Sequence, residues 1–137
     1  MQITEIVSEG LRLGAHSARP VGSGRVPALL VVPGFPRGVG GAAALGNTDQ
    51  TLCDRVARDA GWAALTFTFR GTGTSEGDFS IDGWRADVRA AVDALAGRDD
   101  VGGVWIAGFR LGGTLAILAA AEDDRVRGIA RSEEHTS

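Results

Sequence analysis

Apolar runs bounded by glycine, proline and charged clusters cut this chain into short segments whose period alternates between strand and helix. Residues 2–8 (Q-I-T-E-I-V-S) and 11–15 (L-R-L-G-A) alternate in part and predict an amino-terminal hairpin at a sheet edge. Residues 19–25 form a loop by composition. Ala28-Leu29-Leu30-Val31-Val32 is continuously apolar, as expected of a strand buried on both faces. It stops at Pro33-Gly34-Phe35-Pro36, and a glycine-rich stretch runs from there to Gly46. A helix follows, with Asn47, Thr48 or Asp49 as its cap, Leu52, Val56, Ala57 and Ala60 on one face, and Gly61 just past its end. Residues 62–69 predict the next strand and residues 70–77 a loop. A second helix spans about 82–96, with Trp84, Val88, Ala91, Val92 and Leu95 on one face, and closes at Gly97. The next strand begins after Gly102-Gly103, the helix behind it runs to about Ala121, and residues 126–130 open a further strand. Strands alternating with helices after a hairpin predict an α/β fold: a doubly wound, mostly parallel sheet with an amino-terminal antiparallel hairpin.

One of these junctions carries candidate chemistry. Val104-Trp105-Ile106-Ala107 runs into Gly108-Phe109-Arg110-Leu111-Gly112-Gly113, and an Ala/Leu-rich helix leaves at once. Strand, sharp turn and helix in that order place one side chain at the carboxyl end of a sheet beside unpaired helix N–H groups. The turn has the G-x-S-x-G pattern of a nucleophile elbow, with Arg110 in place of the serine. Gly108 and Gly112 flank a position where larger neighbours would clash. The Leu111 N–H begins the helix and can face a developing oxyanion, and the Phe35 N–H, after an earlier buried strand, can supply a second donor.

Composition narrows the alternatives. The 137 residues are 44% hydrophobic, one domain's worth of globular chain, and the net charge of −3 argues against a nucleic-acid partner. One cysteine excludes an internal disulfide, and two histidines leave no common zinc spacing, so no metal site is expected. Met1-Gln2-Ile3-Thr4-Glu5 lacks a basic n-region and an apolar h-region, and no apolar run approaches membrane-spanning length, so a cytoplasmic location without membrane contact is expected. Every basic residue but the histidines is arginine; without lysine a Walker loop is excluded, and the Ala- and Gly-rich usage reads as a GC-rich codon bias.

Other polar residues read as structural. Cys53 is a small packing residue near a helix start. Ser75 and Glu76 shape their loop, Arg70 ties it to a nearby carboxylate or carbonyl, and Asp82, Asp87 and Asp93 make a solvated helix face. Gly71-Thr72-Gly73-Thr74-Ser75-Glu76 misses the third glycine of the dinucleotide fingerprint, so no cofactor is expected. His16 reads as a surface or edge residue of the hairpin, far from the turn.

Taken together, P-G-F-P after one strand, F-R-G-T-G-T-S-E-G after the next and G-W-x-x-D ahead of a helix resemble the α/β-hydrolase superfamily, nearest its serine-aminopeptidase-like and dienelactone-hydrolase-like branches. The resemblance runs over residues 1–130 as the amino-terminal part of such a domain. It implies an eight-stranded sheet and a Ser-acid-His triad whose acid and histidine arrive late in the chain. It also implies a hydrolase of ester, thioester or amide bonds acting on a small acyl-type substrate. The chain departs from the family at Pro33, where a histidine is common, at Arg110, and in lacking the late acid and histidine.

Arg110 leaves three readings open: a hydrolase whose nucleophile codon is altered (AGC and CGC differ by one base), an inactive module binding a carboxylate or phosphate at the guanidinium, or a retained fold with Arg110 in solvent. Residues 131–137 (R-S-E-E-H-T-S) break the Ala/Gly-rich pattern. Read back into codons they match the start of a widely used sequencing-library adapter. They are therefore expected to be a non-native tail, and His135 within them receives no role.

Overall fold

In the computed structural model, residues 2–22, 24–33, 49–109 and 111–132 are described. Strands β1 (Glu5–Ser8) and β2 (Leu11–Ala18) pair antiparallel. Glu9 and Gly10 between them both have positive φ, +50° and +80°, as a tight primed hairpin turn requires. Strand β3 (Val26–Val32) precedes a helix described from residue 49, here α1, which ends in a π-helical turn, Val56–Ala60. Gly61 closes it with φ +72°, the left-handed geometry that glycine supplies without strain. Then come β4 (Ala63–Phe67), α2 (Ile81–Ala96), β5 (Val101–Phe109), α3 (Leu111–Glu122) and β6 (Val126–Ser132).

The six strands form one mixed sheet in the order β1-β2-β4-β3-β5-β6. β2 meets β4 antiparallel, whereas β4, β3, β5 and β6 run parallel. From β3 the chain crosses to β4 on one side and afterwards to β5 on the other. The order therefore reverses at β3, and the carboxyl ends of β3 and β5 are the place where open α/β sheets of this order bind their ligands.

Alternation along β3 sends Ala28, Leu30 and Val32 to one face and Leu29 and Val31 to the other. The first set packs with Trp84, Val88, Ala91, Val92 and Leu95 of α2 and with Leu115 and Ala116 of α3. The second meets Leu52, Cys53 and Val56 of α1. Helices thus cover both faces, the doubly wound arrangement expected.

Several local expectations need correction. The α1 residues buried against the sheet are Cys53 and Ala57, while Ala60 is exposed, and Asp49 is already helical; Asn47 and Thr48 lie outside the described residues. β4 ends at Phe67, because Thr68 and Phe69 turn into the loop, where the Thr72 N–H donates to the Phe69 carbonyl. β5 includes Gly102 and Gly103: Val101 pairs with Val26 and Gly103 with Pro27, and Gly102 is the extra residue at the register shift between them. β6 continues through Arg131 and Ser132, opposite Gly108 and Phe109.

Asp87 is the largest departure. It is fully buried rather than solvated, and it accepts hydrogen bonds from the Arg70 backbone N–H, Nε and Nη2. Grouping it with Asp82 and Asp93 by charge overlooked its place three residues after Trp84 and four before Ala91, beside the apolar face, where Arg70 meets it.

Candidate active site

Strand β5 ends at Phe109 and α3 begins at Leu111, so a single residue separates strand from helix. That residue, Arg110, lies outside the described residues, as does Phe35. The glycines on either side are described, and the space around them explains their identity. A Cβ on Gly108 would lie 2.6 Å from the Gly112 carbonyl oxygen and 2.7 Å from Gly113 Cα. One on Gly112 would lie 2.9 Å from the Val32 carbonyl oxygen and 3.1 Å from the Pro33 carbonyl carbon, with the Pro33 oxygen nearer still. Real Cβ atoms do not approach backbone so closely. The turn thus folds tightly on itself and also presses against the end of β3, with Val32 and Gly108 directly in register.

Leu111 opens α3, and the first turn of that helix carries no acidic side chain. The positive end of its dipole is therefore not offset locally by a carboxylate. At the end of a parallel strand, such a terminus suits negative charge, either an oxyanion formed during reaction or the anionic group of a ligand.

The loop after β4 is held by its own polar groups. Ser75 Oγ accepts from the Gly14 N–H at 2.9 Å and donates to the Thr68 carbonyl at 2.7 Å. Both Glu76 carboxylate oxygens meet Arg12, which holds the Glu76 carboxyl below its ordinary pKa. Arg70 bridges Asp87 (2.8 Å), Glu9 (2.9 Å) and Ser8 (3.3 Å), and its carbonyl accepts the Trp84 indole N–H at 3.1 Å. All three residues shape the loop, as their sequence context suggested.

His16 lies in β2, three strands from β5 in the sheet order, about 14 Å at the usual strand spacing. Its Nε2 sits 2.8 Å from Asp54 Oδ1 on α1, so it ties strand to helix within the sheet rather than standing at an edge. Cys53 is fully buried, and burial pushes its thiol up to about 12, far from a reactive thiolate. Asp49, also buried, has its carboxyl pushed up to about 6 by desolvation. Among the described residues no group of three or more His, Cys, Asp or Glu is placed to hold a metal, and no helix is long and apolar enough to cross a membrane.

The contact of Gly112 with β3 and the burial of Asp87 were not foreseen. The first depends on two segments distant in sequence meeting edge to edge; the second was signalled by the aspartate of G-W-x-x-D, by its helical spacing to Trp84 and Ala91 and by an arginine in the preceding loop.

Comparison with known proteins supports the fold. The sequence pattern described as X-Pro dipeptidyl-peptidase (S15 family) matches residues 9–135. No curated protein matches. Among solved structures, the chain is similar to Est1E of Butyrivibrio proteoclasticus with ferulic acid bound, at 26% identity and a TM-score of 0.75 over 93% of this chain and 51% of that one. It is also similar to an α/β serine hydrolase without a lid from Xanthomonas campestris (21% identity, TM-score 0.72, 96% of this chain and 59% of that one). An esterase of Pyrococcus furiosus shares the same fold (20% identity, TM-score 0.75, 97% of this chain and 50% of that one). The chain therefore spans between half and three-fifths of the length of these structures.

Proposed function

The chain belongs to the X-Pro dipeptidyl-peptidase (S15) family of α/β hydrolases, and on that premise we propose that the turn containing residue 110 is a nucleophile elbow which, with serine at 110, cleaves ester, thioester or amide bonds of a small acyl-type substrate. The observation that carries the reading is steric: neither Gly108 nor Gly112 has room for a Cβ, as a nucleophile elbow demands. In this reading the side chain at 110 attacks the carbonyl carbon, and the N–H groups of Leu111 and Phe35 hold the oxyanion. A histidine from sequence beyond this segment takes the nucleophile's proton and returns it to the leaving group, oriented by an acid from the same region. Arginine cannot attack, because its guanidinium stays protonated. The reaction therefore belongs to a chain with serine at 110, one base from the arginine codon. Ferulic acid is a carboxylic acid, and its presence in Est1E supports an acyl-type ligand for this site.

A second reading has its own support. The first turn of α3 carries no acidic side chain, so a guanidinium at its start would face no local carboxylate and would suit a carboxylate or phosphate ligand in a non-catalytic module.

One experiment separates the two. The full-length protein is assayed on p-nitrophenyl esters and X-Pro p-nitroanilides, as the arginine parent and as Arg110→Ser. Turnover only in the serine form supports the hydrolase, whereas turnover in the arginine parent overturns the assignment of residue 110. Thermal stabilisation of the parent by acetate or phosphate, lost in Arg110→Ala, identifies the binding module.

A further inference from the structure

We propose that the amino-terminal edge of the sheet carries a phosphate-binding notch built by Arg25 and Arg127, independent of the elbow reading. β3, β5 and β6 run parallel, so their first residues lie together. A cavity of about 170 Å³ opens there, with Arg25, Gly102, Gly103, Arg125 and Arg127 in its lining. At the usual strand rise, the length of β5 sets it roughly 25 Å from the turn at 110. Two register shifts shape the notch. Pairing of β3 with β5 passes from Val26–Val101 to Pro27–Gly103, and pairing of β5 with β6 from Val104–Val126 to Trp105–Gly128. Gly102 and Arg127 are thus the extra residues, one on each of two adjacent strands, and a bulge re-aims the side chain it carries. Gly103 shows where Arg127 is aimed: a Cβ there would lie 2.9 Å from Arg127 Nε and 3.0 Å from its Cδ. The Arg127 side chain therefore lies back across β5, in the space that glycine leaves empty. From the other side, Arg25 Nη2 donates to the Val101 carbonyl at 3.0 Å, which pins that guanidinium at the start of the same strand.

The charges of the notch do not cancel. Arg125 is occupied by Asp93 and Asp123. Neither Arg25 nor Arg127 is paired with a carboxylate among the described residues, and Asp124 on the lining sets one negative charge against the two. Ala96, the last residue of α2, also lines the cavity. The Asp93 and Leu95 carbonyls of that helix end are bonded by the Gly97 and Arg98 N–H groups, so they are not aimed bare at an anion. Two planar guanidinium forks over a glycine floor match the several oxygens of a phosphate group. The cavity is too small for a drug-sized ligand, which needs about 300 Å³ or more, so any organic part of a phosphomonoester stays outside it.

The test titrates the full-length Arg110→Ser protein, which carries no guanidinium in the elbow motif, with inorganic phosphate by isothermal calorimetry at constant ionic strength. One phosphate per chain is expected. Arg25→Gln and Arg127→Gln should each weaken it roughly 10-fold or more, as loss of a charge-assisted hydrogen bond does. Arg55→Gln removes the same charge from the exposed side of α1 and should bind as the parent. Gly103→Ala leaves every charge in place but displaces the Arg127 side chain, and should weaken binding comparably. If that variant does not fold, Arg127→Lys keeps the charge and loses the fork, and should weaken binding several-fold. Absence of saturable binding overturns the proposal, and so does equal weakening by Arg55→Gln. Parent-like affinity in Gly103→Ala, or in Arg127→Lys where that variant replaces it, overturns it as well. Phenyl phosphate bound more tightly than the inorganic ion supports the site with a phosphomonoester as its ligand, and the reverse order supports it with free phosphate. Acetate bound as tightly as either overturns the assignment to phosphate.

Discussion

Asp87 on α2 and Arg70 in the loop after β4 form a buried ion pair in which one carboxylate receives the arginine's backbone N–H at 2.9 Å, its Nε at 3.1 Å and its Nη2 at 2.8 Å. Through Arg70 the same group reaches Ser8 and Glu9 at the hairpin turn, and through the Arg70 carbonyl it reaches Trp84. Trp84 in turn stacks on Phe69 at 4.2 Å with ring planes 7° apart. Three segments, the loop after β4, α2 and the β1–β2 hairpin, therefore meet around Arg70, whose guanidinium also holds the Glu9 carboxylate.

Removing one partner of such a pair strands the other charge in the interior. Asp87→Ala should cost about 3–5 kcal/mol, read as a shift in the urea unfolding midpoint at constant slope. Replacing both partners, as Arg70→Met with Asp87→Leu, should cost much less, because no uncompensated charge remains. A single-variant loss below about 1 kcal/mol would show that the pair is solvated in practice.

Gly83 tests the geometry from the opposite side. Alanine is the better helix former, so Gly83→Ala within α2 would ordinarily gain up to about 1 kcal/mol. Here the added Cβ would lie 2.6 Å from Arg70 Cδ and Nε and from Ser80 Oγ, the oxygen that caps the helix by accepting the Gly83 N–H. The expected outcome is a net loss of about 1–3 kcal/mol. Part of it should vanish in an Arg70→Ala background, since the two changes relieve a shared contact. A stabilised Gly83→Ala protein would contradict the packing described.

Much of this was legible in the chain and some of it was not, for identifiable reasons. The apolar face of α2 follows a helical period, and all five residues expected on it are buried. Gly61 and the elbow glycines answer to local backbone demands, which motifs record well. Asp87 was misplaced because it was grouped by charge with Asp82 and Asp93, although the helix period sets it beside Trp84 and Ala91 on the buried side. Gly102 and Gly103 break strand propensity, yet pairing with β3 overrides that weak preference. The contact of Gly112 with Pro33 needs the strand order, which periodicity does not supply. Phe35 and Arg110, the residues on which the chemistry turns, lie outside the described residues, and their assignment rests on the pattern around them.

Asp49 makes stability depend on pH. Its folded carboxyl is pushed up to about 6 from an ordinary 3.8, so between those values the folded state holds a proton that the unfolded state has released. Stability should fall as pH rises through that window and remain lower above it. Asp49→Asn should therefore stabilise the protein above pH 6 by roughly 1–3 kcal/mol and flatten the profile between pH 4 and 6. Thermal unfolding midpoints of parent and variant across pH 4–8 provide the check. Parallel curves would mean that Asp49 keeps its charge in the fold.

The last prediction concerns the gene. An elbow whose glycines have no room for a side chain retains the shape of a catalytic turn, and only residue 110 departs from it. Amplifying the source locus should therefore return a serine codon at 110, AGC in place of CGC. The same amplification reads the full-length open reading frame. It should continue far enough to supply a late acid and a histidine, in keeping with solved relatives of which this chain covers little more than half. An arginine codon at 110 would falsify this prediction and leave the anion-binding reading as the one to pursue.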